Sequence, residues 1–137
     1  MTEQPSPRQY DLEDRTLAFA ARVRCLVQAL PRTLANIEDA RQLIRSSGSV
    51  GANYIEANES LSKKDFALHA KISRKEAKES TYWLKLLQID GSVDARLQTE
   101  RALLIQEANE LVNIFGAIVR KTEGAAKPRQ QGPPSDF

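Results

Sequence analysis

Apolar side chains recur at alternating intervals of three and four residues in separate segments of this 137-residue chain. That spacing places them on one face of an α-helix and differs from the strict alternation of a half-buried strand. The clearest faces comprise Leu12, Thr16, Phe19, Val23, Leu26 and Leu30; Phe66, Ala70, Ser73, Ala77, Ser80, Leu84 and Leu87; and Leu97, Arg101, Leu104, Ala108, Leu111, Phe115 and Ile118. With a further helix between the first two, the pattern predicts an all-α fold, an antiparallel up-down-up-down four-helix bundle.

Helix-ending and helix-capping residues separate these segments. Pro31 ends the first helix, because proline disfavours a helical conformation in the residue before it. Thr33 or Asn36 can cap the second helix. Residues 62–65 have the form of a capping box and open a third helix that we expect to reach Ile89.

The two ends of the chain lack this periodicity. Residues 1–9 are polar and contain two prolines, and residues 122–137 are rich in Gly, Ala, Lys, Pro and Gln. We therefore expect a disordered N-terminus over 1–9, a four-helix bundle over 10–121 and a disordered tail over 122–137.

The second helix contains a run of small residues, Ser46, Ser47, Gly48, Ser49, Gly51 and Ala52. Two glycines inside a helix cost about 1 kcal/mol each, a cost typical of positions where another backbone comes close. One interpretation is a continuous helix from Thr33 to about Ser60. The other is a turn over Ser46–Ser49, with Ser49 capping a new helix.

The composition argues against an active site or a cofactor. The single histidine, His69, follows Phe66 by three residues, so the Glu-x-x-His pairs of di-iron bundles cannot form. Cys25 lies beside the core seam and is interpreted as structural. Phosphate-binding loops, nucleophile elbows and zinc-ligand spacings are absent from the sequence. We predict a protein that is not an enzyme and has no cofactor or metal.

Hydropathy and the N-terminal sequence bear on location. No apolar run approaches the roughly 18 residues of a membrane helix, and the N-terminus does not resemble a signal peptide. We therefore expect a cytoplasmic protein without a membrane partner. The fourth helix is apolar over more than one face, through Ile105, Val112 and Val119, which indicates either self-association or ordinary packing in a wide bundle.

Positive charge is concentrated on the third helix. Residues 63–85 hold seven bases and three acids, although the whole chain has a net charge of only +2. Four of these lysines recur every seven residues and form one slowly drifting stripe. Such a stripe could follow phosphates without reading sequence, or it could be a solvated face. The candidate nucleic-acid-binding residues are Lys64, Lys71, Arg74, Lys75, Lys78 and Lys85.

A second group of charged residues flanks the predicted interior. A carboxylate near a bundle core needs a cation or hydrogen-bond donors, so these residues predict a structural polar network. Its candidate members are Arg41, Arg45, Glu56, Glu76 and Glu79.

Several motifs together resemble a known bacterial family. They are Arg41-Gln-Leu, Ser49-Val-Gly-Ala-Asn, Lys64-Asp-Phe, Ser73-Arg-Lys-Glu-Ala and Tyr82-Trp-Leu. In this order they resemble the four-helix-bundle proteins encoded in intervening sequences of 23S rRNA genes, over roughly residues 10–121. The resemblance implies a homopentamer without catalytic activity. The family is also similar to the accessory protein of diversity-generating retroelements, a pentameric barrel that binds nucleic acid and a reverse transcriptase.

Two functional hypotheses follow. In the first, a homo-oligomeric bundle, pentameric by resemblance, binds RNA or DNA through the third helix and serves as an accessory or scaffold. In the second, the chain is a protein-interaction module that does not bind nucleic acid, and its lysines only keep it soluble. The first predicts binding that weakens steeply with salt.

Overall fold

The computed structural model describes the backbone of residues 7–126 and the side chains of residues 12–124. Within this range the chain forms four helices: α1 (Pro7–Gln28), α2 (Leu34–Asn58), α3 (Lys63–Leu86) and α4 (Ala95–Ala126). Residues 7–9 and 122–126, expected to be disordered, are therefore helical. Residues 1–6 and 127–137 lie outside the described range.

The four helices form the expected antiparallel bundle. Each helix packs against its neighbours in sequence, and α1 closes the bundle against α4. Ion pairs from Arg15 to Glu107 and from Arg22 to Glu100 show that α1 and α4 run in opposite directions, since the partner number falls as the first rises. The all-α four-helix prediction is confirmed.

The bundle core follows the predicted apolar seams. The six residues of the first predicted seam, the last of which (Leu30) follows the end of α1, are at most 7% exposed. Leu104, Ala108, Leu111 and Phe115 of α4 are fully buried. Tyr54 of α2 meets Phe115 edge to face, with ring centroids 5.5 Å apart. The additional apolar residues of α4 also belong to this core: Val119 is buried, and Ile105 and Val112 pack against it.

Side-chain caps define three helix starts. Thr33 Oγ1 accepts a hydrogen bond from the Asn36 backbone N–H at 3.1 Å, so Thr33 is the cap of α2. Ser62 Oγ accepts from Asp65 N–H at the start of α3, as predicted. Asp94 Oδ1 accepts from Leu97 N–H and caps α4. These bonds satisfy backbone donors that have no partner within the first turn.

The small-residue segment of α2 is helical throughout, so the continuous-helix interpretation is confirmed. Gly51 admits the close approach of α1: a Cβ placed on it would lie 2.8 Å from Thr16 Oγ1 and 3.1 Å from Thr16 Cβ. The absence of a side chain at this position therefore permits the observed α1–α2 packing.

Helix α4 differs from the expectation that no segment is long and apolar enough to cross a membrane. Residues Ala95–Gly124 are long and apolar enough to cross a membrane by length and composition alone. Leu104, Leu111 and Phe115 are buried against the other helices, and Ile105 is partly buried. Because 33% of the apolar window is buried, core packing accounts for part of the hydropathy of α4.

Candidate nucleic-acid interface

The stripe of α3 lysines is exposed along the helix. Lys64, Lys71, Lys78 and Lys85 are all solvent-exposed, as is Lys75, whereas Arg74 is half-buried. Because seven residues make nearly two turns, the four lysines of the stripe lie on one side of α3. Contacts with α4 show which side this is. Lys71 Nζ lies 2.6 Å from Glu123 Oε2 of α4, and Arg74 lies beside Gly116 of α4. The stripe therefore borders the groove between α3 and α4.

Most of these cations have no carboxylate partner among the residues that the structure describes. Lys71 pairs with Glu123, and Lys75 lies 4.0 Å from Glu76 in a longer ion pair. Lys64, Arg74, Lys78 and Lys85 form no ion pair within residues 12–124. The α3 side of this groove therefore carries a net positive charge that is accessible to an anionic partner.

The predicted polar network is not assembled as expected. Arg41, Arg45, Glu56 and Glu79 are exposed and form no hydrogen bond or ion pair with one another in the described part of the chain. Glu76 is half-buried, and burial raises its pKa; nearby Glu79 raises it further, while Lys75 and Arg45 lower it. Helix α2 projects most of these charges into solvent because its small residues occupy the position facing α3.

Serine hydroxyl groups, and not the predicted charged residues, connect α2 to α3. Ser46 Oγ and Ser80 Oγ lie 2.9 Å apart, and Ser80 also donates to the backbone carbonyl of Glu76 at 2.9 Å. Ser73 Oγ donates to the Val50 carbonyl across the same interface at 2.8 Å. The sequence signal for this interface is the pair of small-residue segments, one on α2 and one over Ser73, Ala77 and Ser80 of α3. The spacing within each helix does not show that these two segments face each other.

A buried asparagine organises one end of the bundle. The sequence predicts Asn36 only as a possible helix cap, but its side chain is 1% exposed and makes three further hydrogen bonds. Its Nδ2 donates to the carbonyls of Pro31 and Gln88, each at 3.0 Å, and its Oδ1 accepts from Gln88 N–H at 2.8 Å. The side chain therefore joins the α1–α2 connection to the segment after α3.

The other chemically reactive side chains are separated from one another. Within the described residues no three His, Cys, Asp or Glu side chains gather as metal ligands. His69 Nδ1 lies 3.4 Å from Asn53 Oδ1, between α3 and α2. Cys25 is exposed and lines a groove of about 640 Å³ between α1 and the start of α4, so its expected place beside the core is corrected.

Comparisons with known proteins agree with this architecture. A family model described as 23S rRNA-intervening sequence protein matches residues 8–116. The crystal structure of a protein of unknown function from the S23 ribosomal protein family of Bacteroides thetaiotaomicron is 29% identical, with a TM-score of 0.67. That similarity covers 79% of this chain and 97% of the other. No curated protein matches the chain.

Proposed function

The chain belongs to the 23S rRNA-intervening sequence protein family, and on that premise we propose a non-enzymatic, homo-oligomeric bundle that binds nucleic acid through α3. It would act in the cytoplasm as an accessory or scaffold. RNA, DNA and a reverse transcriptase are the partners implied by the sequence resemblance. The observation that carries the proposal is the exposed, largely unpaired row of α3 cations beside α4.

The spacing of this row suits a phosphate backbone. Seven residues of α-helix rise about 10.5 Å, and successive nucleotides of one strand advance about 3.4 Å along a duplex axis. The four lysines of the stripe therefore span about 31 Å of α3, which corresponds to the axial rise of about nine nucleotides. Flexible lysine side chains contact phosphates as point charges, which supports binding without a preference for base sequence.

Self-association is supported by a different surface from the one expected. The wide apolar stripe of α4 packs partly within its own protomer, where Ile105 and Val112 are partly buried. On the outer side of α1 and α2, however, Leu17 is 68% exposed and Ile55 is 50% exposed. They border a groove of about 370 Å³ that is mainly apolar and lined by small residues, including Gly48, together with Glu13 and Arg24. We propose that protomers associate here, in the pentameric form that the resemblance implies.

The same apolar groove supports the second candidate function, a protein-interaction module without nucleic-acid binding. In that case Leu17 and Ile55 would contact a different protein. The α3 lysines would then only maintain solubility.

Fluorescence-anisotropy titrations with structured RNA and duplex DNA, repeated over a salt series, distinguish the two functions. We expect dissociation constants of about 1–100 μM at physiological salt, with affinity falling steeply as salt rises. The test variant is Lys64→Glu/Lys78→Glu/Lys85→Glu, which leaves the Lys71–Glu123 pair intact. It should lose binding.

The matched control reverses three other exposed cations, in Arg32→Glu/Arg41→Glu/Arg96→Glu. This variant has the same change in net charge and should retain most of the affinity. Equal losses in both variants, or no binding by the wild type at low salt, would refute the α3 interface.

A further inference from the structure

Two arginines from different helices converge above one glycine in the groove between α3 and α4. A Cβ placed on Gly116 of α4 would lie 3.3 Å from Arg120 Nη1 and 4.0 Å from Arg74 Nη1. The two guanidinium nitrogens are therefore within about 7 Å of each other, less than the Debye length at physiological salt. Gly116 is buried, so the pair lies over a tightly packed part of the groove.

No carboxylate neutralises this arginine pair within the described residues. Arg74 and Arg120 form neither a hydrogen bond nor an ion pair there. Glu123, one turn beyond Arg120, contacts Lys71 on the other helix. Lys78 lies one turn from Arg74 on the same side of α3 and adds a third positive charge. Like charges this close repel each other, and an anion between them would remove the repulsion.

The geometry fits a phosphate. A guanidinium is a planar fork that binds phosphate oxygens through two parallel hydrogen bonds, with N to O distances of about 2.8 Å. Two forks from separate helices can therefore hold one phosphate from two sides. Glycine at position 116 keeps the floor of the groove free of a side chain, although glycine is less favourable than alanine in a helix interior.

We propose that Arg74 and Arg120 form a phosphate-binding site above Gly116, and that the site holds one phosphodiester of nucleic acid bound along α3. The inference rests on the proposed function, because the α3 lysines bring the strand to the groove. The arginine site would fix the position of one phosphate, whereas the lysines alone allow the strand to move along α3. The site also makes α4 part of the binding surface.

The first test is duplex DNA binding by Arg74→Gln, Arg120→Gln and the double variant, beside Arg32→Gln/Arg96→Gln as the control of equal charge. The double variant should bind about tenfold more weakly, the effect of losing a charged hydrogen bond. Its slope of log affinity against log salt should fall by about 1, which corresponds to one phosphate. Each single variant should lose nearly as much as the double. Losses equal to those of the control would overturn the site.

A second variant tests the geometry without removing any charge. In Gly116→Ala the new methyl group would lie 3.3 Å from Arg120 Nη1, so the guanidinium must shift by a few tenths of an ångström. Arginine side chains are flexible, and alanine favours the helix, so the fold should be retained. We expect weaker DNA binding with unchanged circular dichroism. Unchanged affinity would contradict the proposed geometry.

The third measurement separates this inference from the proposed function. Inorganic phosphate is titrated into protein with ¹⁵N-labelled arginine, and the Nε–H signals are followed by NMR. The signals of Arg74 and Arg120 should move with one shared dissociation constant, and Arg120→Gln should abolish the response of Arg74. Responses no larger than those of Arg32 and Arg96 would overturn the site.

The combined results have distinct meanings. A phosphate response without oligonucleotide binding supports a site for free phosphate and refutes the proposed function. Oligonucleotide binding that depends on the α3 lysines but not on the arginine pair supports the proposed function and overturns this inference.

Discussion

Asn36 on α2 and Gln88, just after α3, exchange two hydrogen bonds: Gln88 N–H donates to Asn36 Oδ1, and Asn36 Nδ2 donates to the Gln88 carbonyl. The amide side chain thus pairs with a backbone that has left the helix. This pairing gives a physical reason why α3 ends at Leu86, three residues before the predicted Ile89. Leu87 adopts an extended conformation there and is buried in the core.

Asn36→Ala should therefore lower the free energy of unfolding by roughly 2–4 kcal/mol, because it leaves buried backbone groups without partners. Urea denaturation followed by circular dichroism measures the loss. Asn53→Ala is the control: its Nδ2 donates within α2 to the Ser49 carbonyl, and its Oδ1 makes a single long contact, 3.4 Å, with His69 Nδ1. It should change stability by less than about 1 kcal/mol. Similar losses in both variants would show that the Asn36 bridge is unimportant.

The two glycines of α2 should respond in opposite ways to alanine. Gly51→Ala introduces a methyl group 2.8 Å from Thr16 Oγ1, so we expect a net destabilisation of about 1–2 kcal/mol. Gly48→Ala places its methyl group at an ordinary 3.7 Å from Arg24 Nη2 and should stabilise the helix by up to about 1 kcal/mol. Thr16→Ala should relieve part of the Gly51→Ala effect. A stabilising Gly51→Ala would contradict the close α1–α2 approach.

Arg15 should link α1 to α4 measurably. Its guanidinium binds both carboxylate oxygens of Glu107 at 2.9 Å and one oxygen of Glu110 at 2.7 Å, and these contacts raise the pKa of Arg15. A double-mutant cycle with Arg15→Met and Glu107→Gln should give a coupling free energy of about 1 kcal/mol that decreases in high salt. A coupling near zero at low salt would show that the pair makes no net contribution.

Glu76 should make stability depend on pH in a defined direction. Burial raises its pKa above the ordinary value of 4.5, so the folded state binds this proton more tightly than the unfolded state. The ionised group therefore opposes folding above its raised pKa, and the penalty disappears as pH falls toward 4.5. Glu76→Gln should be more stable than the wild type at pH 7, and the difference should shrink by pH 4.

Urea midpoints of the two proteins at pH 7 and pH 4 provide this comparison. Glu56→Gln, which removes an exposed carboxylate from α2, is the matched control. An advantage of Glu76→Gln that is as large at pH 4 as at pH 7 would assign the effect to packing instead of charge.

The proposed oligomer should depend on the outer surface of α1 and α2. Ile55→Glu should shift the mass measured by light scattering from five copies toward the 15.3 kDa of one protomer. Charge buried in an apolar interface without a partner is strongly unfavourable. Leu68→Glu on α3 is the matched control, since Leu68 is 52% exposed and Ile55 is 50% exposed. If only Leu68→Glu dissociates the oligomer, the interface lies elsewhere.

Local patterns predicted most of the fold. The heptad-like seam from Leu12 to Leu30 is buried at every predicted position, and the capping box at Ser62 begins α3 as expected. These features depend on residues a few positions apart, which the sequence places together directly.

Tertiary interactions account for what the sequence did not predict. The early end of α3 depends on Asn36, which is 52 residues away from Gln88. The interhelical serine contacts, and the position of Arg74 beside Gly116, depend on how each helix is rotated about its axis. A small rotation decides whether a charged residue at the edge of an apolar face reaches solvent, as Glu56 and Arg45 do, or a neighbouring helix.

The unequal packing of α1 has a consequence for motion within the bundle. Helix α1 makes its fewest contacts with α4, and charged pairs through Arg15 and Arg22 form part of that boundary. Separation of α1 would therefore break fewer contacts than separation of α3, which packs closely on two sides. Backbone amides of α1 should exchange hydrogen through a partial unfolding that leaves α2, α3 and α4 together as a cooperative unit. The surface of α3 that carries the positive charge belongs to that unit and would keep its shape during such openings.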